Sequence, residues 1–150
     1  MTTPQADDPL GLGVLDRVVG FHLARAQAAA VASFERHVGA PLDLRKVDFS
    51  LLMLLEANGP VVPKRLARAL AVTAPKLTLL VDGLAARGLV RRERNPADGR
   101  SQHVVLTDKG RRLAAAAAKA AAPMEQDMLA RLSRAEHAML IELLDKLAPG

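Results

Sequence analysis

The most informative segment of the chain is PKRLARALAVTAPKLTLLVDGLAARGLVRRERNPADGRSQHVVLTDKG, residues 63–110. Its first half has the apolar periodicity of two short helices, one over about residues 63–70 and one over about residues 74–88. Pro63 and Pro75 stand in the first turns, where the missing N–H of proline costs nothing, and Thr73 is the predicted N-cap of the second helix. Because only residues 71–73 connect them, the two helices are typical of a helix-turn-helix, with the second as its recognition helix.

The second half of the segment predicts a β-hairpin. Residues 89–94 and 102–106 have the composition of strands, the second with alternating pattern, and residues 95–99 supply the turn chemistry between them. Basic side chains occur on both arms and at the tip. A helix-turn-helix followed at once by such a hairpin predicts a mainly α winged helix with a two-stranded β-wing.

Helical patterns flank this segment on both sides. A long helix is predicted from about residue 10 to residue 38, closed by Gly39 and Pro41, and it is too long to bury all its apolar residues in so small a domain. A partner subunit is therefore expected. A further helix is predicted over about residues 44–57, and Thr107 is the predicted N-cap of an Ala-rich helix that Pro123 kinks or ends. The last helix, about residues 133–147, begins with a predicted capping box.

The basic charge is concentrated in the middle of the chain. Residues 60–112 carry twelve basic and four acidic side chains, a local charge of +8, whereas the whole chain carries +5. Such a surplus suits nucleic acid, an anionic membrane surface or an acidic protein as partner. The only aromatic residues are Phe21, Phe34 and Phe49, which leaves few platforms for stacking single-stranded bases.

The sequence lacks the residues that several classes of chemistry require. The chain has no Cys, which excludes a disulfide framework, a thiolate metal site and a cysteine nucleophile. No phosphate-binding glycine loop or nucleophile elbow occurs, and no two of the four His are spaced i, i+4, so we predict neither an enzyme nor a metal or other cofactor. Without a secretory leader or an apolar run of membrane-spanning length, a cytoplasmic protein is expected.

The order of short motifs resembles a known family. Residues 66–73, 77–84, 87–90, 95–101 and 105–110 are similar to consecutive blocks of the MarR-type (multiple antibiotic resistance regulator) winged-helix repressors. This resemblance implies a homodimer whose terminal helices intertwine and whose winged helices bind pseudo-palindromic promoter DNA. It also implies release by a small phenolic or other anionic ligand, bound in a crevice between the dimerisation and DNA-binding regions. The predicted division is a tail (1–9), an N-terminal dimerisation helix (10–43), a DNA-binding winged helix (44–112) and C-terminal dimerisation helices (113–150).

The resemblance also implies roles for individual residues. At the wing tip, Arg100 would enter the minor groove while Asp98 holds its side chain, a reasonable role because a narrow minor groove attracts Arg. Leu79 stands where many relatives have Arg, and an apolar contact to a thymine methyl is one alternative there. The residues predicted to contact DNA are Thr73, Pro75, Lys76, Thr78, Arg91, Arg94, Asp98, Arg100, Lys64 and Arg65.

Two questions stay open on the sequence alone. His22 and His37 either cap or line the helix interface or face the ligand crevice. The alternative function is a winged helix that docks proteins or binds chromosomal DNA without sequence preference and without a ligand. A narrow footprint on one palindromic site would favour the regulator, whereas uniform binding to any duplex would favour the alternative.

Overall fold

A computed structural model describes residues 9–148, so the predicted tail lies outside the described residues except for Pro9. Two antiparallel strands, with Val90 opposite Leu106, form the wing, and the remaining elements are helical. The predicted mainly α winged helix-turn-helix is confirmed. The elements are α1 Val19–Phe34, α2 Ala40–Leu42, α3 Lys46–Asn58, α4 Pro63–Ala69, α5 Ala74–Ala86, β1 Val90–Arg94, β2 Gln102–Leu106, α6 Asp108–Met128 and α7 Arg134–Leu147.

The hydrophobic core lies in the middle of the chain. Its largest fully buried side chains come from α3, α4, α5 and the start of the hairpin: Leu51, Leu52, Leu55, Leu66, Leu77, Val81, Leu84, Leu89 and Val104, with Val38 from the preceding helical segment. Helix α6 adds only Ala114 and Ala117, both fully buried, whose small side chains let the helix approach closely. The winged helix thus buries its own apolar residues.

The junction between the hairpin and α6 is unusually close. A Cβ on Gly110 would lie 1.9 Å from the carbonyl oxygen of Leu89, so only glycine fits there. Thr107 is the N-cap of α6, as predicted: its hydroxyl accepts from the Gly110 N–H at 3.0 Å and donates to the Gly88 carbonyl at 2.6 Å. These contacts fix the start of α6 against the base of the wing.

The wing is also tied to the segment before α4. Val61 and Val104 form an isolated antiparallel bridge, with N–H to carbonyl distances of 3.2 and 2.8 Å. Helices α3, α4 and α6 all contact β2. The predicted alternation in β2 is therefore wrong, because Val104, Val105 and Leu106 are all buried between these neighbours.

The first predicted helix is wrong at both ends. A 3-10 turn over Gly13–Arg17 is separated from α1 by the extended residue Val18, so no continuous α-helix begins near residue 10. At the other end, Glu35–Gly39 form a π-helical turn that continues into α2. Pro41 does not stop the helix because it lies in the first turn of α2, where its missing N–H is not needed.

Helix α6 continues through Pro123 to Met128, so of the two predicted alternatives, a kink or an end at this proline, the end is wrong. A hydrogen bond joins this half of α6 to α1: the Ser33 hydroxyl donates to the Met124 carbonyl at 2.8 Å. The last helix is confirmed as predicted, with Ser133 and Glu136 forming a complete capping box.

Both ends of the chain expose apolar side chains. Helix α7 contains no buried residue. The exposed large hydrophobic residues of the two ends are Leu10, Val14, Leu15, Val18, Val19, Leu23, Val31, Leu132, Met139, Ile141, Leu143, Leu144 and Leu147. None of the single helices within residues 9–148 has the length and apolarity of a membrane span; only the bent pair α4 and α5, taken together, has them.

Candidate nucleic-acid interface

The two helices α4 and α5 have the arrangement of a helix-turn-helix. Their axes are inclined at 105°, within the range typical of this motif. The turn contains Ala71 in the left-handed conformation, with a φ of 52°. Thr73 is the N-cap of α5, as predicted, because its hydroxyl oxygen accepts from the Lys76 N–H at 3.4 Å. Helix α5 is therefore held at its first turn and presents one face outwards.

The outward face of α5 contains the residues predicted to contact DNA. Leu77, Leu80, Val81 and Leu84 are buried, which fixes the rotation of the helix. Pro75, Lys76 and Thr78 are exposed near its start, and Leu79 is 72% exposed beside them. The Thr78 hydroxyl donates to the Ala74 carbonyl at 3.1 Å. This end of α5 is thus accessible to a large ligand.

Ion pairs neutralise part of the basic segment. Arg92 binds Asp82 of α5 at 2.7 Å, and Arg91 binds Glu93 within β1 at 2.8 Å. At the base of the wing, Arg111 binds Asp108 at 2.7 Å and donates to the Leu106 carbonyl at 3.3 Å. The hydrogen bond and charge of Arg111 lower the pKa of Asp108. Three of the four acidic side chains in residues 60–112 are therefore occupied by nearby arginines.

Most of the remaining cations are free of such partners. Arg87 lies 3.8 Å from Asp43, and the Lys109 ammonium donates to the Arg87 carbonyl at 2.8 Å. The other seven basic side chains of this segment are exposed and have no carboxylate within 4.0 Å in residues 9–148: Lys64, Arg65, Arg68, Lys76, Arg94, Arg100 and Arg112. Unpaired exposed cations are the groups that phosphate oxygens bind most readily.

The tip of the wing is organised by its own hydrogen bonds. The Asn95 side chain accepts from the Ala97 N–H, and the Asp98 carboxylate accepts from the Arg100 N–H, each at 3.0 Å. The Asn95 N–H donates to the Ser101 carbonyl at 2.9 Å. Asp98 therefore binds the backbone N–H of Arg100. The resemblance had implied instead that Asp98 would hold the side chain of Arg100. The guanidinium of Arg100 stays exposed at the end of an ordered turn.

The two histidines considered as ligand candidates already have partners. The Nε2 atom of His22 lies 3.0 Å from the Asp16 carbonyl oxygen. The Nε2 atom of His37 lies 3.3 Å from the Asp127 carboxylate, which Arg36 also binds at 2.5 Å. Within the described part of the chain, no three His, Asp or Glu side chains converge as metal ligands would.

A cavity of about 920 Å³ lies between the start of α3 and the end of α5. Its lining includes Asp43, Arg45, Asp48 and Arg87, while His22 and His37 lie outside that lining. Asp48 is buried and accepts two hydrogen bonds from Arg45, at 2.7 and 2.9 Å. This hydrogen-bonded pair raises the pKa of Arg45. Arg87 is the less constrained of the two arginines in the lining, because its carboxylate partner is 3.8 Å away.

Sequence reasoning missed the pair formed by Arg92 and Asp82. These residues belong to a helix and a hairpin, and nothing in their spacing indicates contact. The pair joins the wing to the recognition helix and removes one cation from the set available to DNA. Sequence reasoning did place Arg91 beside DNA, but that side chain is bound to Glu93 in the structure.

Known proteins similar to this chain are transcriptional regulators. Residues 42–101 match the model of the MarR family. A putative transcriptional regulatory protein for the hcr operon of Thauera aromatica is 32% identical over 129 residues, which cover 86% of this chain and 78% of the relative. The multiple antibiotic resistance protein MarR of Salmonella typhimurium is 30% identical, with 73% of this chain and 77% of the relative covered.

A solved structure is similar over almost the whole chain. The transcriptional repressor CouR bound to a 23-mer DNA duplex has 34% sequence identity and a TM-score of 0.84, covering 95% of this chain and 100% of that one. CouR bound to p-coumaroyl-CoA has 33% identity and a TM-score of 0.80, covering 93% of this chain and 97% of that one.

Proposed function

Because the chain belongs to the MarR family, we propose that it is a homodimeric repressor that binds a pseudo-palindromic operator and is released by a small ligand. The observation that carries this proposal is the set of seven exposed, unpaired cations on the winged helix. The relatives are transcriptional regulators, and one of them is a repressor solved on DNA. A regulator without catalytic activity fits these similarities.

The exposed apolar ends support the homodimer. We propose that residues 10–43 and 113–150 form the dimer interface and that residues 44–112 form the DNA-binding region, since the latter supplies most of the buried core while the former contain nearly all the exposed large apolar side chains. A twofold axis would place two α5 helices against one duplex. If their spacing is one helical turn of DNA, the half-sites are centred about 10 base pairs apart.

The proposed contacts divide into three groups. Lys64, Arg65 and Arg94 would bind phosphates and supply much of the affinity. Arg100, held at the wing tip, would enter the minor groove. Thr73, Pro75, Lys76 and Thr78, at the start of α5, would face the bases of the major groove. Arg91 would contribute less than Arg94, because Glu93 already neutralises it.

We propose that the releasing ligand is an aromatic anion. CouR was solved with p-coumaroyl-CoA, and the regulator BpsR of Bordetella bronchiseptica is regulated by 6-hydroxynicotinic acid. In this chain the cavity between α3 and α5 lies between the helical N-terminal region and the recognition helix. A ligand carboxylate would compete with the exposed Asp43 for Arg87, whose present pairing is long.

The salt dependence of DNA binding tests the proposal. Duplexes are selected from a random-sequence pool with the wild-type protein, and affinities are measured at several salt concentrations. We expect Arg100→Ala to lower the slope of log affinity against log salt by about one unit per half-site, whereas Arg91→Ala changes it less. Unchanged affinity and slope in Arg100→Ala would show that the wing does not touch DNA. Equal wild-type binding to every duplex would favour the non-specific alternative.

A further inference from the structure

We infer that α5 reads its half-site through the C5-methyl group of a thymine and that Leu79 is the residue that determines this preference. The inference rests on the proposed function, because it concerns how the same helix chooses its sequence. It commits to the thymine-methyl contact that the sequence left as one alternative for Leu79, a residue outside the ten predicted to contact DNA.

Leu79 is exposed without a structural reason. Within residues 44–112, all of which the structure describes, it is the only exposed large hydrophobic side chain. The other exposed apolar residues lie in the terminal segments, where a partner subunit would cover them. Four residues on, Gly83 has open space where a Cβ would lie, so no side chain at that position covers Leu79 from the next turn. An exposed leucine in this place is available for an intermolecular contact.

The polar groups around Leu79 are already engaged within the protein. The hydroxyl of Thr73 accepts from the Lys76 N–H, and the hydroxyl of Thr78 donates to the Ala74 carbonyl. The carboxylate of Asp82 accepts from Arg92. Helix α5 contains no Arg, Asn or Gln, the side chains that bind guanine or adenine in a bidentate manner. Lys76 is thus the single charged donor on this face without a carboxylate partner. Beside it lie the two threonine hydroxyls, each with one hydrogen bond inside the protein, and the exposed side chain of Leu79.

Thymine is the base whose major-groove edge suits such a face. Its C5-methyl group is the apolar feature in the groove, and aliphatic side chains recognise it by contact. The surrounding cations favour a duplex over a protein as the occupant, because Lys64, Arg65 and Lys76 are exposed and unpaired. A lone leucine also offers too small an apolar patch to anchor a protein. The same methyl group occurs in 5-methylcytosine, so the experiment includes both bases.

The test removes one methyl group at a time from a selected duplex. Each thymine is replaced by deoxyuracil, which changes nothing else on the base. We expect about a four-fold loss of affinity at one thymine and about a 15-fold loss when its symmetry mate is replaced too. Leu79→Ala should bind both duplexes alike, whereas Leu79→Met should keep most of the preference. Both variants should unfold like the wild type, because the side chain lies outside the core.

Four results would overturn the inference. If no thymine is sensitive to deoxyuracil while binding stays selective, α5 does not read a methyl group, although the proposed function stands. Equal affinity for cytosine and 5-methylcytosine at the sensitive position would likewise show that α5 does not read a methyl group. Tighter binding of 5-methylcytosine than of thymine would exclude thymine as the preferred base. If no duplex is selected at all, the proposed function fails as well.

Discussion

The winged helix and the terminal helices use their apolar residues in opposite ways. Between residues 44 and 112, leucines such as Leu51 and Leu84 are at most 1% exposed. In α7, Met139 is 54% and Leu143 is 48% exposed, and the helix has no buried residue. The comparison shows that residues 44–112 supply most of one buried core, to which Phe34, Val38, Ala114 and Ala117 also belong, whereas the two ends leave many large apolar side chains exposed.

Helix α6 explains where the boundary falls. Its first half contributes Ala114 and Ala117 to the core, whereas Ser33 and Met124 provide the hydrogen bond between its second half and α1. Alanine buries little apolar area, so this region gains little stability from packing within one chain. The stability of the two regions should therefore respond differently to substitution, to concentration and to pH.

The largest effect is expected at the close junction in the winged helix. In Gly110→Ala the new methyl group would lie 1.9 Å from the Leu89 carbonyl oxygen, which is backbone and cannot rotate away. We expect the free energy of unfolding to fall by about 3 kcal/mol, measured by chemical denaturation. Gly83→Ala is the control, because open space surrounds Gly83 and alanine should stabilise α5 by about 0.5–1 kcal/mol. Similar losses in both would contradict the close contact.

The second-largest effect is expected at the terminal helices and concerns the stability of the dimer. Leu143→Glu should weaken dimerisation by about 2 kcal/mol per protomer, because it replaces apolar area with a charge that the interface would bury. Sedimentation equilibrium should show more monomer at a given concentration, while the winged helix stays folded. Leu143→Met should remain as dimeric as the wild type. A Leu143→Glu protein that stays dimeric would place the interface elsewhere.

A smaller effect is expected from the cap of α7. The Ser133 hydroxyl accepts from the Glu136 N–H at 3.3 Å, and the Glu136 carboxylate accepts from the Ser133 N–H at 2.7 Å. Ser133→Ala should cost about 1 kcal/mol, seen as faster hydrogen exchange in α7 than in α3. Ser133→Asp should retain most of the protection. Equal acceleration in α3 and α7 would show that the two regions unfold together.

The smallest effect is expected from acid. Hydrogen bonds from the Ser133 backbone and then its hydroxyl lower the pKa of Glu136 from its ordinary value of 4.5. A lowered pKa in the folded state means that the contribution is present above pH 4.5 and is lost as pH falls through the lower value. The protection factor at the start of α7, which is the intrinsic exchange rate divided by the observed rate at the same pH, should therefore fall on acidification, and Glu136→Gln should reduce that dependence. A pH-independent protection factor in the wild type would contradict it.

The sequence predicted the elements that depend on local chemistry. Thr73, Thr107 and Ser133 were recognised as N-caps because their hydroxyls act on backbone three residues away. The predictions failed where distant packing outweighs local preference. The π-helical turn over Glu35–Gly39 and the passage of α6 through Pro123 both depend on neighbouring helices, which no local pattern shows.

The candidate site was predicted in part for the same reason. A winged-helix pattern places Lys76 on α5 and Arg100 at the wing tip, because both positions follow from local elements. Which cations are neutralised depends on contacts between elements, so the pairing of Arg92 with Asp82 had no sequence signal. The outward position of Leu79 also follows from local periodicity, because the spacing of the apolar residues at 77, 80, 81 and 84 predicts which face of α5 is buried, and the structure confirms it.

The anchoring of the hairpin has a mechanical consequence. Strand β1 is linked to α5 through the ion pair between Arg92 and Asp82. Strand β2 is joined to the segment just before α4 by the bridge between Val104 and Val61. Both helices of the DNA-binding motif are thereby clamped by one hairpin, so the motif should move as a rigid body. In the proposed homodimer, a signal that alters affinity for an operator would then change the separation and tilt of two such bodies, with little deformation inside either one.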